Sequence, residues 1–279
     1  MQKKLWLPTR RKLIVGAAAT LAMPSILRAG PAALLGAGGG SSGVAAYTAQ
    51  GVIGNSGAWA KKTGALASVS DGKSGIMSVW VKNTLGLGAF RVLLMLRTTG
   101  VLTGFQALFS SSTGRLNLQG LDSGGTIILS IGTTTNLASA STWSHVLASW
   151  DLATTTGKVY LNNGDDTTST TLTNSTIIYT RTTPSILADD SGGTPYGAQL
   201  ADMQIWFNQF IDLTVAGNRA AFISGGAPVN PATGPASIGL PTADVRLSGP
   251  SSGWETNDGS GGGFTLQTGT ITDASTNPP

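Results

Sequence analysis

Few residues in this chain could carry out acid–base or nucleophilic chemistry. His145 is the only histidine, Glu255 is the only glutamate, and there is no cysteine. A serine–histidine–aspartate triad would have to use His145, which lies in a strand-like run beside Trp143 with no nucleophile-elbow glycine pattern nearby. The lack of cysteine excludes disulfides, zinc–thiolate sites and cysteine nucleophiles. We therefore interpret His145 as a structural strand residue and predict no catalytic residues.

Aspartates supply the remaining acidic chemistry, and many of them fall in predicted turns. Asp165 and Asp166 are adjacent in sequence, as are Asp189 and Asp190. Neighbouring side chains diverge in an extended chain, so neither pair forms the two carboxylates that most glycosidases place on either side of the sugar bond. The stretch GAGGGSSG has no following Lys-Ser/Thr and is not a phosphate loop. We predict a non-enzymatic protein without a cofactor.

The elements that position these residues are predicted to be β-strands. Charged residues make up only 11% of the chain, glycine is frequent, and serine and threonine are abundant. Strand-like runs separated by Gly, Asn and Asp occur at 76–82, 90–97, 105–110, 114–120, 126–131, 142–151, 158–162, 176–180 and 198–207. One helix is predicted at 213–223, with Asp212 or Thr214 as its N-cap and Gly225 and Gly226 after its end. The pattern predicts an all-β, antiparallel two-sheet jelly-roll sandwich with one short helix after the closing strand.

The run from Trp143 to Asp151 alternates with a period of two. Alternate residues of a strand face opposite sides of the sheet. The side with Val146, Ala148 and Trp150 is the more uniformly apolar, so we assign it to the core. Trp80 and Trp206, which lie in other strand-like runs, are predicted to be buried together with Trp150.

The first 46 residues differ from the rest of the chain in their charge and in their composition. Six of the 17 basic residues precede residue 30, where no acid occurs, so the rest of the chain has a slight negative excess and no predicted nucleic-acid partner. Thr9-Arg10-Arg11-Lys12-Leu13-Ile14 resembles a twin-arginine motif, and an apolar stretch follows at 13–23. This stretch is shorter than the roughly 20 residues of a bilayer span, so no stable membrane span is predicted. We interpret 1–29 as a cleaved leader or a retained anchor, and 30–46 as a Gly/Ala/Ser-rich linker.

Three segments together resemble laminin-G-like, or concanavalin A-like, jelly rolls. KSGIMSVWVK at 73–82 is similar to their opening strand, and YGAQLADMQIWFNQFIDLTVAGNRAAFISGG at 196–226 to their closing strand and helix. The segment 143–164 resembles their central hairpin, and the residues that carry this resemblance are Trp143, His145, Val146, Trp150, Asp151, residues 157–161, Asn163 and Gly164. The resemblance covers about 60–226 and implies a sandwich of this family. The Glu-x-Asp-x-x-Glu strand of its glucanases is absent, which agrees with the non-enzymatic prediction.

The same resemblance implies a calcium site, because laminin-G-like folds often bind calcium through loop carboxylates and carbonyl oxygens. Asp189, Asp190 and Asp202 are the candidate ligands, since they flank the closing strand. Solvated turn aspartates explain the three residues equally well.

A second resemblance concerns the setting. A twin-arginine-like leader, this jelly roll and the tail W…TNDGSGGGFTLQTGTITDAS are similar to virion-associated proteins of tailed phages and prophages. We expect a jelly roll at 47–228 and a Pro/Gly-rich extension at 229–279, lying along a surface or a neighbouring subunit. The implied role is a structural or adhesive virion surface protein, contacting other virion proteins, copies of itself or host surface polysaccharide. The alternative is a carbohydrate-binding protein exported by the twin-arginine route to the periplasm or cell surface, whose residues 250–279 would fray.

Overall fold

The computed structural model describes residues 47–83, 86–98, 101 and 104–279, with backbone alone at Asn55 and Ser56. The leader predicted for 1–29 and the linker predicted for 30–46 lie outside the described residues. The chain from Ala46 to Pro279 forms one unit. No helix in its described part is long and apolar enough to cross a membrane.

Strands and turns alternate along the described chain. In order they are β1 (Val52–Lys61), β2 (Ser74–Lys82), β3 (Arg91–Arg97), β4 (Phe105–Phe109), β5 (Leu116–Leu121), β6 (Ile127–Thr133), β7 (Ser144–Asp151), β8 (Thr156–Leu161), β9 (Gly164–Asp165), β10 (Thr167–Leu172), β11 (Thr183–Ile186), β12 (Gln199–Phe207), α1 (Ala216–Ala220), β13 (Ile223–Ser224), β14 (Ala227–Pro228), α2 (Gly234–Ser237), β15 (Val245–Leu247) and β16 (Thr265–Asp273). A 3₁₀ turn lies at Ser251–Gly253. The all-β prediction is confirmed.

The strands form an antiparallel sandwich in which two sheets are joined along β1. The strand order is β10-β6-β5-β4-β3-β11-β1-β12-β2-β7-β8-β9, with β15 beside β12 and β16 beside β1. The start of β1 pairs with β12 and its end with β11, so this strand passes from one sheet to the other. At the opposite side, the backbone N–H of Val159 on β8 donates to the Thr167 hydroxyl of β10 (2.9 Å). This contact nearly closes the sandwich, and the jelly-roll prediction is confirmed.

The core between the sheets contains the predicted face of β7. Val146, Ala148 and Trp150 belong to the main apolar cluster, and Trp150 is fully buried. Its ring stacks on Phe105 at 5.3 Å between centroids, and its Nε1 donates to the Tyr179 hydroxyl (3.0 Å). The assignment of this face to the core is therefore confirmed.

The opposite face of β7 is buried as well, under the segment that follows β12. Leu147 packs with Ile76, Trp206 and Phe222 in a second apolar cluster. Trp80, at 2% exposure, lies in a third cluster. We call the second and third clusters, which lie outside the core between the sheets, the outer layer. The predicted burial of Trp80, Trp150 and Trp206 is confirmed, although Trp80 and Trp206 lie in this outer layer.

Two predicted elements differ from the structure. Residues 176–180 form no strand, and only Ile177 bridges to Gly72. The Asp71 carboxylate accepts hydrogen bonds from the backbone N–H groups of Tyr179 and Thr180 (both 2.9 Å), so a side chain takes the place of a partner strand. The helix predicted at 213–223 is shortened to Ala216–Ala220, because Asp212 turns the chain by accepting from the N–H of residue 214 (2.8 Å).

The C-terminal segment is part of the sandwich. The strand β16 pairs along β1 from Val52↔Asp273 to Lys61↔Thr265, so the fraying expected of an exported monomer is not seen. Trp254 and Phe264 are buried in the main core, and Leu266 packs against it. These apolar residues find their partners within the chain. The boundary between 47–228 and 229–279 stays a prediction.

Candidate functional site

A groove of about 470 Å³ crosses the outward face of β3, β4 and β5. We call it the β3–β5 groove. Its floor consists of Val92, Met95 and Leu108, which pack together apart from the main core. A bulge in β3 after Val92 makes this floor possible: it shifts the register so that Val92 and Met95 face outward while Leu94 and Leu96 face the core.

Neutral amide side chains continue the groove across β4 and β5. Gln106 lies opposite Gln119, and Leu108 lies opposite Asn117. The Gln106 Nε2 donates to the Gln119 Oε1 (2.5 Å). The pair keeps further amide N–H and carbonyl groups, so the groove offers both donors and acceptors without a formal charge.

The rim combines an exposed aromatic ring with a structured turn. Phe90 is 49% exposed and lines one side, while Asp189 and Thr194 line another. The Asp189 Oδ1 accepts from the N–H and hydroxyl of Ser191 (2.9 and 2.7 Å) and from the N–H of Gly193 (2.8 Å). Burial raises the pKa of Asp189, but these hydrogen bonds outweigh it and hold the pKa below its usual value. The carboxylate is therefore charged and fixed by its own turn.

This arrangement suits binding rather than bond cleavage. Of the described residues that line the groove, Asp189 is the only one with a titratable side chain. A glycosidase of the usual kind needs a second carboxylate across the sugar bond. Apolar floor, aromatic rim and neutral amides are the groups that contact the C–H faces and hydroxyls of a polyhydroxylated ligand.

The predicted calcium ligands lie in different environments. Asp189 holds its own turn, and Asp190 pairs with Arg97 at 3.1 Å. Asp202, on β12, is buried and accepts a hydrogen bond from the Tyr47 hydroxyl (2.7 Å). Among the described residues no three His, Cys, Asp or Glu side chains come together in a way that could hold a metal ion. Calcium binding stays a prediction, testable as a calcium-dependent rise in Tm that is lost in Asp189→Asn.

Asp202 and His145 are two buried titratable groups beside the outer layer, where they contact Tyr47 and Trp80 respectively. Burial raises the pKa of Asp202 to about 7, although the hydrogen bond from Tyr47 acts in the opposite direction. Burial lowers the pKa of His145 to about 3, so its ring is neutral near pH 7. The His145 Nε2 lies 2.9 Å from the Ser78 hydroxyl, and its ring centroid lies 5.0 Å from that of Trp80. These contacts are those of a packed strand residue.

The groove residues were not identified from the sequence, apart from Asp189. A signal was present in β4 and β5, where Gln106, Asn117 and Gln119 alternate with apolar residues. Such alternation marks a polar outward face. It does not reveal that the β3 bulge adds an apolar floor to that face.

Residues 55–210 match the sequence model of the Laminin_G_3 family, described as the concanavalin A-like lectin/glucanases superfamily. The β3–β5 groove lies entirely within the matched residues. No curated protein matches the chain in sequence.

The solved structures that are similar to this chain come from diverse proteins. A putative carbohydrate binding protein from Bacteroides ovatus is 13% identical with a TM-score of 0.52, and the match covers 84% of this chain and 62% of that one. A heptameric SAP-like pentraxin from Limulus polyphemus is 15% identical with a TM-score of 0.46, over 62% of this chain and 82% of that one. The LG1-3 region of the laminin alpha2 chain is 11% identical with a TM-score of 0.41, over 57% and 31%. Of the three, only the Bacteroides ovatus protein has a TM-score above 0.5, and at 13% identity its similarity shows the fold alone.

Proposed function

Since this chain belongs to the concanavalin A-like lectin/glucanase superfamily, we propose that it is a non-catalytic carbohydrate-binding module whose ligand lies in the β3–β5 groove. The observation that carries the proposal is the composition of this groove. Apolar side chains form its floor, an exposed phenyl ring forms its rim, and uncharged amides span two strands.

The expected ligand is a neutral saccharide. The C–H face of a sugar ring packs on Phe90 and Met95, because both present apolar surface to the groove. Hydroxyl groups exchange hydrogen bonds with Gln106, Asn117 and Gln119, whose amides both donate and accept. An acidic ligand is disfavoured here by the charged carboxylate of Asp189 at the rim.

The lack of catalysis is supported by the placement of the acid–base residues. His145 is buried against Trp80 of the outer layer, and Glu255 lies outside the groove, in the C-terminal segment. Neither side chain lines the surface where the ligand would lie.

The test is an array of neutral and acidic polysaccharides, followed by titration of the tightest neutral ligand against two variants. Phe90→Ala removes the aromatic rim and should weaken binding about tenfold, equivalent to ~1.4 kcal/mol. Phe210→Ala is the matched control, because Phe210 is 40% exposed and lies outside the groove. Equal affinities of the two variants would contradict the proposed site, and no neutral ligand on the array would contradict the function.

As its biological setting, we propose the surface of a tailed-phage virion, where the chain serves as a decoration, tail or fibre component. The resemblance of its leader and tail to virion-associated proteins supports this setting. Its partners would then be other virion proteins, copies of itself and host polysaccharide. The alternative is a twin-arginine-exported bacterial protein that binds carbohydrate in the periplasm or at the cell surface.

The intact mass of the natural protein separates the two settings. A mass equal to that of residues 1–279 supports a retained anchor in a virion and contradicts processed export. A mass equal to that of residues 30–279 supports export and contradicts the anchored form.

A further inference from the structure

Trp143 differs from the other tryptophans of the described chain, because the other five are at most 6% exposed whereas Trp143 is only half-buried. It precedes β7 at the end of the sandwich where the C-terminal residues cross. One part of its ring packs beside the cluster of Ala49 and Trp80. The other part lines a groove of about 340 Å³, formed with Lys82, Thr142, Thr276, Asn277 and Pro279. We call it the Trp143 groove.

The ring is held rigidly in this position. Gly51 lies directly against it, since a Cβ atom on Gly51 would come within 2.7 Å of one ring carbon and 3.0 Å of another. The Trp143 Nε1 donates to the Thr276 hydroxyl (3.3 Å). That hydroxyl also accepts from the Lys82 Nζ (3.0 Å) and donates to Gln199 Oε1 (3.1 Å). Its hydrogen-bonding capacity is filled, so the aromatic platform is organised before any ligand arrives.

Polar groups at the edge of the platform carry unused donors. Lys82 has no carboxylate partner among the described residues, and its ammonium keeps two N–H groups beyond the one given to Thr276. The Asn277 Oδ1 accepts from the N–H of Gly51 (3.0 Å), which leaves the amide Nδ2 of Asn277 free to donate. No residue that lines the groove has an acidic side chain.

We propose that the Trp143 groove is a second binding site, for a saccharide that carries a carboxylate. The apolar face of a uronic acid ring lies on the indole, and its carboxylate receives hydrogen bonds from Lys82 and Asn277. A shallow, mostly apolar groove over a flat ring fits a pyranose face, and an unpaired cation at its edge favours an anionic substituent. The Trp143 groove is separate from the β3–β5 groove, because the two grooves share no lining residue. Their charge preferences also differ, since Asp189 lines the β3–β5 groove and Lys82 lines the Trp143 groove.

The test uses a galacturonic acid tetramer and its methyl ester, which differ only in the charge of the carboxyl groups. The full chain should bind the acid more tightly than the ester, and binding should change the fluorescence of Trp143. Trp143→Ala should abolish binding of the acid. Trp143→Phe, which keeps an aromatic ring, should retain binding but lose most of the fluorescence change.

Lysine variants test the charge preference. Lys82→Gln should weaken binding of the acid roughly two- to fivefold and bring it close to that of the ester, as expected for an exposed charge pair. Lys61→Gln is the matched control, because Lys61 also lies over an indole ring, that of Trp59 (5.5 Å), but outside the groove. Lys61→Gln should leave both affinities unchanged.

Several results would overturn this site. They are equal affinities for acid and ester in the unmodified chain, no binding of either, unchanged binding of the acid in a folded Trp143→Ala variant, or a ligand-induced fluorescence change that persists in Trp143→Phe. Loss of acid binding in Phe90→Ala but not in Trp143→Ala would assign the acid to the β3–β5 groove instead. Neutral ligands that bind through Phe90 would leave the proposed carbohydrate-binding function intact in all of these cases.

Discussion

Two buried groups beside the outer layer, His145 and Asp202, should change the stability of the folded chain with pH in opposite directions. The pKa of His145 falls from 6.5 to about 3 in the folded chain. The unfolded chain therefore binds a proton between these values that the folded chain does not, and the stability supplied by neutral His145 is lost as pH falls below 6.5. The pKa of Asp202 rises from 3.8 to about 7. Its stability is fully present below 3.8 and is lost as pH rises towards 7.

Each group changes the free energy of unfolding by about 1.4 kcal/mol per pH unit within its own interval. Between about pH 4 and 6.5 the two slopes have opposite signs and cancel. Removing one group should therefore reveal the pH dependence that the other group causes. In Asp202→Asn, which retains an acceptor for the Tyr47 hydroxyl, the stability relative to the unmodified chain should rise by about 4 kcal/mol from pH 4 to pH 7.

Urea unfolding at a series of pH values measures this difference. Asp258→Asn is the control, because Asp258 is exposed. His145→Gln should give the opposite slope, with relative stability rising as pH falls from 6.5 to 4. A pH-independent difference between Asp202→Asn and the unmodified chain would refute the reasoning, because it would mean that Asp202 titrates alike in folded and unfolded chains.

Three further predictions follow from the fold. Trp150→Ala should lower the free energy of unfolding by about 3–5 kcal/mol in urea, because the indole is fully buried between the sheets, and a loss below about 1 kcal/mol would contradict this packing. Asp71→Ala should lower Tm and cost about 2–3 kcal/mol, since two backbone N–H groups lose their acceptor, whereas Asp71→Asn, which keeps an acceptor, should cost less. Neither His145→Ala, in a folded variant, nor Glu255→Gln should change polysaccharide turnover, and reducing-sugar release that disappears with either change would overturn the non-catalytic proposal.

Much of the sandwich could be predicted because its central strands carry strong local patterns. The alternation in β7 identified the core face, and the punctuated apolar runs located β2, β3, β4, β5, β6 and β12. The strands β1, β10, β11 and β16 were missed. They are rich in Thr, Ser, Gly or Ala, and their pairing depends on neighbours distant in sequence: β16 pairs with β1 across about 200 residues.

The outer layer and the candidate sites were harder to predict for the same reason. Leu147 is buried only because the chain after β12 folds back over it. The floor of the β3–β5 groove depends on one bulge in β3, which a period-two reading of Val92 and Met95 does not reveal. Asp189 alone was identified beforehand, and its place at the groove rim was not.

The most direct test of the central claim is to map where a neutral saccharide binds. The tightest neutral oligosaccharide from the array, carrying a diazirine, is irradiated with the full chain, and the cross-linked peptides are identified by mass spectrometry. We expect cross-links in β3, β4 and β5, at groove residues such as Met95 and Leu108, and their loss in Phe90→Ala. Cross-links confined to other parts of the chain, and unchanged in Phe90→Ala, would contradict the proposed site.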